Sequence, residues 1–276
     1  MPIRTSGDVV TEVPLSQVAG RAFFTKEIEE ALLAGEIDLA VHSLKDLATD
    51  LPVGLALGAI LERADPRDAL IARRGGGYEA LPPGARVGTS SLRRRALLRR
   101  WRSDVEVVDM RGNVPTRVAR LEAGDLDGIV LAAAGLERLG LGHRVTEVLP
   151  TARVLPAAGQ GAIAIEIRAD DDVTRSAVAR LDHDHTRAAT AAERALLGRL
   201  EGGCQVPVGA LAEVRGDRLH LAAAVCSLDG RRIAEAAEEG DLASPVALAE
   251  AVADALLRAG AGAILASVRE ASGAPT

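Results

Sequence analysis

Apolar residues at Phe24, Ile28 and Leu32 recur every fourth position, which predicts a helix with one buried face. The stretch that follows, Leu32-Leu33-Ala34-Gly35-Glu36-Ile37-Asp38-Leu39-Ala40-Val41, reads as a helix end, a glycine cap, an acidic turn and a buried strand from Ile37 to Val41. The same order of residue types returns, equally spaced, at Leu121-Glu122-Ala123-Gly124-Asp125-Leu126-Asp127-Gly128-Ile129-Val130, so two parts of the chain share an αβ plan. The second part alternates clearly: strand Ala85 to Gly88, helix Leu92 to Arg102, strand Val105 to Met110, helix Val114 to Glu122, strand Ile129 to Ala133. Strand and helix in turn imply a parallel sheet with right-handed crossovers, whose ligands gather at the carboxyl ends of the strands.

Boundaries fall at Ala64-Asp65-Pro66-Arg67 and at Leu155-Pro156-Ala157-Ala158-Gly159-Gln160-Gly161. Because Ala162 to Arg168 alternates as a strand, the chain is expected to cross back, making a clamshell of two α/β lobes joined by two hinge strands. Residues 1–63 and 162–180 then form the first lobe, 64–161 the second, and 181–276 a small α+β C-terminal domain. In that domain a helix from Thr190 to Leu200 precedes a glycine loop around Cys204, a strand pair near Leu219 to Cys226, a turn at Ser227-Leu228-Asp229-Gly230 and a final helix from Pro245 to Arg258. Gly159-Gln160-Gly161-Ala162-Ile163-Ala164 has the letters of a dinucleotide-binding turn, but Ile163, Ile165 and Ile167 alternate as a strand where a helix should open.

Composition narrows the classes of function. The 276 residues, 48% hydrophobic and 26% charged, suit a globular chain of roughly two domains, and no apolar run is long enough for a membrane span. With 33 cationic and 39 acidic side chains the net charge is −6, which argues against broad nucleic-acid binding; an anion site must be a local cluster. Two cysteines without a CxxC or HExxH pattern predict no metal, and His183 and His185 read as a helix start. The N-terminus carries no apolar leader, so the expected compartment is the cytoplasm, with both thiols reduced.

The richest chemistry lies in Gly88-Thr89-Ser90-Ser91-Leu92-Arg93-Arg94-Arg95-Ala96-Leu97-Leu98-Arg99-Arg100-Trp101-Arg102. A glycine and three hydroxyls at a strand-to-helix turn make an anion-binding arrangement. A helical wheel sets Leu97, Leu98 and Trp101 opposite Arg95, Arg99 and Arg102, which should be solvated, and aims Arg93 and Arg94 into the cleft, with ion pairing to the other lobe as the alternative. Arg111-Gly112-Asn113-Val114-Pro115-Thr116-Arg117 repeats the device after the next strand, and Arg138 follows the third. Five arginines from three strand ends exceed what one phosphate needs, so a ligand with several carboxylates is expected. Across the cleft, Lys45-Asp46 offers a cation and a carboxylate suited to proton handling, or merely a turn. Cys204, on a loop of glycines and a proline, should expose its sulfur, whereas Cys226 in an apolar strand should be inert.

Ala40-Val41-His42-Ser43-Leu44-Lys45-Asp46, Val87-Gly88-Thr89-Ser90-Ser91-Leu92-Arg93-Arg94, Arg111-Gly112-Asn113, Leu155-Pro156-Ala157-Ala158-Gly159-Gln160-Gly161 and Gly202-Gly203-Cys204-Gln205-Val206-Pro207 together resemble the porphobilinogen deaminase (hydroxymethylbilane synthase) family, in order along essentially the whole chain. The resemblance implies two lobes like those of periplasmic binding proteins plus a third domain holding a covalent dipyrromethane cofactor through a thioether to Cys204. It implies stepwise condensation of four porphobilinogens on that cofactor with loss of ammonia, then hydrolysis to the linear tetrapyrrole, by a cytoplasmic monomer. It makes Asp46 the catalytic carboxylate, beside an azafulvenium cation. Ser43, Lys45, Thr89, Ser91, Arg93, Arg94, Arg111, Arg117, Arg138 and Gln160 would hold the cofactor and the acetate and propionate groups.

Two departures stand out. Gly20-Arg21-Ala22 replaces the family's Gly-Lys-Gly, keeping the charge but losing a glycine. The family also places a strand, an Arg-Gly-Ser motif and a helix before the segment that here is Pro2-Ile3-Arg4-Thr5-Ser6-Gly7-Asp8, so a chain lacking that βα unit is expected to be poorly soluble or weakly active. Two other classes stay open from the residues themselves: a clamshell that binds a polycarboxylate without turning it over, and a cysteine acyl-transfer enzyme.

Overall fold

The computed structural model describes residues 3, 25–200 and 206–272. Gly20-Arg21-Ala22 and the glycine loop with Cys204 lie outside the described residues.

Helix α1 (Lys26–Leu33) buries Ala31 and Leu32 and feeds β1 (Leu39–Ser43). One helical turn, Leu44–Asp46, ends that strand, and β2 (Leu55–Ile60) follows. The chain then builds a second sheet from β3 (Asp68–Ala72), β4 (Arg86–Gly88), α2 (Leu92–Trp101), β5 (Glu106–Val108), α3 (Val114–Glu122), β6 (Gly128–Ala132), α4 (Ala133–Arg138) and β7 (Glu147–Val148). Strand β8 (Ile163–Arg168) returns to lie between β1 and β2, antiparallel to both. After α5 (Asp172–Val178) come α6 (Asp184–Arg199), β9 (Val208–Arg215), β10 (Arg218–Cys226), β11 (Ile233–Asp241), α7 (Pro245–Arg258) and α8 (Ala261–Ser272).

The expected parallel pairing holds for β5-β4-β6, but β3 runs antiparallel to β6 and β7 antiparallel to β3, so the sheet is mixed. Strand β3, Asp-Ala-Leu-Ile-Ala, is buried at every position and therefore shows no alternation for a periodicity reading to register. The third sheet has the order β11-β10-β9 rather than being a strand pair. Its β11, rich in alanine and glutamate, has helix-forming composition that pairing along the whole of β10 overrides. Helix α8, packed onto α7 and β10, was not expected from the sequence. Among the described residues no single helix is long and apolar enough to cross a membrane.

Two crossovers join the sheets. Ala64 N donates to the Gly161 carbonyl at 3.3 Å, and Arg63 Nε donates to the Gln160 carbonyl at 2.9 Å. Gly161 has φ +89°, and a Cβ there would stand 2.5 Å from the Ala64 carbonyl oxygen. Gly161→Ala should therefore cost about 1–3 kcal/mol through a strained φ and forced separation of the crossovers. Thermal denaturation checks this; an unchanged melting temperature would show that the crossovers part freely.

The C-terminal sheet is tied to both. Cys226 packs with Leu70, Tyr78 and Val87 of the second lobe, and a Cβ at Gly230 would meet Arg100 N at 2.6 Å, so the Ser227–Gly230 turn lies hard against α2.

Candidate active site

The ends of β1, β4, β5 and β6 and the second crossover supply the candidate residues. At the end of β4, Ser91 caps α2, its Oγ accepting from Arg94 N at 3.4 Å, while Ser91 N donates to Oγ1 of buried Thr89 at 3.3 Å. After β5, Asn113 caps α3 by accepting from Thr116 N at 3.0 Å, with Pro115 in the first turn, where its missing N–H costs nothing. Each cap starts a helix at a strand end and so points the following arginines to one region.

Arg93 and Arg94 differ from expectation. They are 3% and 6% exposed, and instead of projecting into an open cleft they converge on Asp68, at the start of β3 in their own lobe. Arg93 Nη1 donates to Asp68 Oδ2 at 2.7 Å, and Arg94 donates through Nε and Nη2 to Oδ1 at 2.9 and 2.7 Å. Gln160 Nε2 donates to the same Oδ1 at 2.8 Å and to the Pro66 carbonyl at 2.7 Å. Burial pushes the Asp68 carboxyl up, but the charges and hydrogen bonds of both arginines outweigh it and hold it well below the usual carboxylate range. The reason is elementary: a side chain at the buried start of a helix cannot keep a guanidinium without a counterion.

The remaining cations gather around this pair. Lys45, half-buried at the end of β1, is lowered by burial; Asp46 beside it works the other way, and Arg94 and Arg93 add to the lowering. Arg117 Nη2 donates to Ser90 Oγ at 3.0 Å, and its pKa falls to about 10 through burial and the nearby charges of Arg94 and Arg111, with Asp109 opposing. Arg138 is exposed and donates to the Gly161 carbonyl at 2.8 Å, bridging the second lobe to a crossover. Ser43 and Asp46 are exposed, and among the described residues no hydrogen bond engages the Asp46 carboxylate. Asp46 sits on a single turn past the strand, of whose three residues only Leu44 is tucked into the core.

The other face of α2 is also more engaged than a solvated face. Arg99 Nη1 donates to the Leu228 carbonyl at 3.2 Å and Arg102 Nη1 to that of Leu81 at 2.7 Å, because the Ser227–Gly230 turn and the loop before β4 pack there. His183 caps α6 through Nδ1, which accepts from Thr186 N at 3.2 Å. Cys226 is fully buried and burial pushes its thiol up to about 11, as expected of inert packing.

Sequence reasoning missed two carboxylates. Asp68 could have been found only by recognising β3 as a strand buried throughout, since an acid on such a strand must be paired. Glu193 falls on the apolar side of α6 beside Ala189, Ala192 and Leu196. It accepts from Arg63 Nη1 and Nη2 at 2.6 and 3.1 Å, Gly159 N at 2.7 Å and Ala212 N at 2.8 Å, tying both crossovers to the C-terminal sheet.

The chain is similar to known proteins over nearly all of its length. A family model described as "Porphobilinogen deaminase, dipyromethane cofactor binding domain" matches residues 1–176, and one described as "Porphobilinogen deaminase, C-terminal domain" matches residues 188–258. A porphobilinogen deaminase of Desulforudis audaxviator is 54% identical over 267 residues, 97% of this chain and 86% of that protein. Another, of Geotalea uraniireducens, is 50% identical over 268 residues, 97% of this chain and 84% of that one. Solved structures that align include an ABC transporter protein from Parabacteroides distasonis, at 19% identity and TM-score 0.38 over 61% of this chain and 59% of that one. A periplasmic sulfonate-binding protein from Methylobacillus flagellatus aligns at 16% identity and TM-score 0.34, over 61% of this chain and 52% of that one. On the two family models and the identity of its relatives, the chain belongs to the porphobilinogen deaminase family.

Proposed function

We propose that this chain is a working porphobilinogen deaminase, condensing porphobilinogen stepwise on a dipyrromethane bound to Cys204 and releasing ammonia and then the linear tetrapyrrole. The observation that carries the reading is the excess of buried positive charge at the strand ends. Arg93 and Arg94 share the single carboxylate of Asp68, while Lys45 and Arg117 have their charged forms disfavoured by burial and neighbouring cations. Such a cluster is stabilised by a ligand bearing several carboxylates, and the acetate and propionate side chains of pyrroles are that chemistry.

The residues fit the dipyrromethane. Lys45, Arg94, Arg111 and Arg117 would pair with its carboxylates, Ser43, Thr89 and Ser91 would add hydroxyl donors, and Arg93, Arg138 and Gln160 would hold the lining in place. When bound, the group supplies the free pyrrole carbon at which the chain lengthens. Asp46, exposed at the end of β1 and with no hydrogen bond on its carboxylate among the described residues, would balance the charge that develops on a substrate pyrrole as its aminomethyl C–N bond breaks, and would accept the pyrrole proton afterwards. We take the enzyme to act as a monomer in the cytoplasm.

The test is chemical. Purified protein should stain with Ehrlich's reagent and show the mass of a dipyrromethane adduct; Cys204→Ser should abolish both, and Cys226→Ser should keep both. Adduct retained in the Cys204 variant would overturn the attachment site. Protein that binds porphobilinogen without adduct or ammonia release would be a binding module instead, and loss of activity on alkylation without any pyrrole chromophore would indicate acyl transfer.

A further inference from the structure

Asp68 collects three of the residues that the proposed function uses, although it was not itself among them. A guanidinium has five N–H donors. Arg94 places Nε and Nη2 on Asp68 Oδ1, a second Nη2 contact on Gln160 Oε1 at 3.3 Å, and Nη1 on the Val130 carbonyl at 3.2 Å. Arg93 adds Nη1 to the Leu155 carbonyl at 2.6 Å and Nη2 to Asp68 Oδ1 at 3.4 Å. Both side chains are thus fixed at several points, and among the described residues each leaves at least one donor unspent. Gln160 is held from the second crossover and Pro66 from the first, so the carboxylate also sets where the hinge lies relative to the arginines. Two guanidiniums against one carboxylate leave one positive charge uncompensated in a water-poor place, where it acts on anions far more strongly than at the surface.

We propose that Asp68 is a positioning residue for anion capture: by clamping Arg93, Arg94 and Gln160 it aims a single net positive charge, in fixed geometry, at the carboxylates of the pyrrole ligand. This rests on the function proposed above and deepens it. A purely structural Asp68 would only neutralise buried charge; a positioning one matters even after that charge balance has been restored by other means.

The decisive comparison is between Arg93→Gln and the double variant Asp68→Asn/Arg93→Gln. The first leaves Asp68 paired with Arg94. The second removes one negative and one positive charge from the native cluster, so it avoids the two uncompensated guanidiniums that would endanger the fold of Asp68→Asn alone. Both are made as full chains in cells that cannot form porphobilinogen, so that no adduct has yet been attached, and are then incubated with porphobilinogen. The rate of adduct appearance by intact mass and the KM and kcat of the loaded form are recorded with melting temperatures. Positioning predicts that the double variant acquires adduct about tenfold more slowly than Arg93→Gln and has a KM raised by a similar factor, with kcat changed much less, because Arg94 has lost its anchor. Equal reconstitution rates and KM in the two variants would overturn the proposal, as would losses that follow melting temperature alone. If the unaltered protein neither acquires adduct nor consumes porphobilinogen, the functional reading itself fails, and this inference fails with it.

Discussion

Asp46→Asn should lower porphobilinogen turnover by about 10²–10⁴-fold while leaving the melting temperature unchanged. The side chain is exposed and bonded to nothing among the described residues, so the fold loses no contact when the carboxylate becomes an amide. Chemistry loses a great deal: an amide neither accepts the pyrrole proton nor balances the cation that forms when the C–N bond breaks. Lys45, next to it, sharpens the effect, because with Asp46 neutral the adjacent ammonium and the Arg93 and Arg94 guanidiniums are opposed only by Asp68 and so disfavour a developing cation. Steady-state kinetics and a thermal melt on the same preparation check both halves. A two- or threefold change would make Asp46 a turn residue.

Glu193→Gln should strongly destabilise the joint between the two crossovers and the C-terminal sheet. Its carboxylate receives four N–H groups from the Arg63 side chain, the Gly159 backbone and the Ala212 backbone, and its side chain is 0% exposed. Glutamine keeps one acceptor oxygen, replaces the other with a donor facing donors, and leaves the Arg63 guanidinium, only 12% exposed, without a counterion. Breaking a buried pair in this way costs about 3–5 kcal/mol. Because the affected bonds join both crossovers to the C-terminal sheet, calorimetry should show that sheet melting apart from the rest rather than one transition at lower temperature. A cost below about 1 kcal/mol would mean that water or a shifted side chain satisfies Arg63.

Much of the local structure at the candidate site was legible from local patterns. Strand-turn-helix boundaries at Gly88 to Leu92 and at Asn113 to Val114 rest on caps a few residues long, and the placement of Lys45 and Asp46 just past β1 follows from apolar spacing before them. The return of the chain through β8 was also readable, because alternation at Ile163, Ile165 and Ile167 marks a strand whichever sheet it joins. Strand β3 and strand β11 were not, the first because burial on both faces erases alternation and the second because its composition favours a helix.

The sequence by itself determined which residue types stand at the ends of the strands, and hence that this protein places arginines, a lysine and an aspartate there. Only the tertiary structure decided which of those cations are paired with carboxylates of the protein itself. Asp68 meets Arg93 across 25 positions of chain, and Glu193 meets Arg63 across 130. No local pattern encodes such a pairing. Whether a guanidinium is free or clamped depends on which carboxylate the fold buries beside it, and a charge removed from water must find that partner wherever the chain happens to bring one.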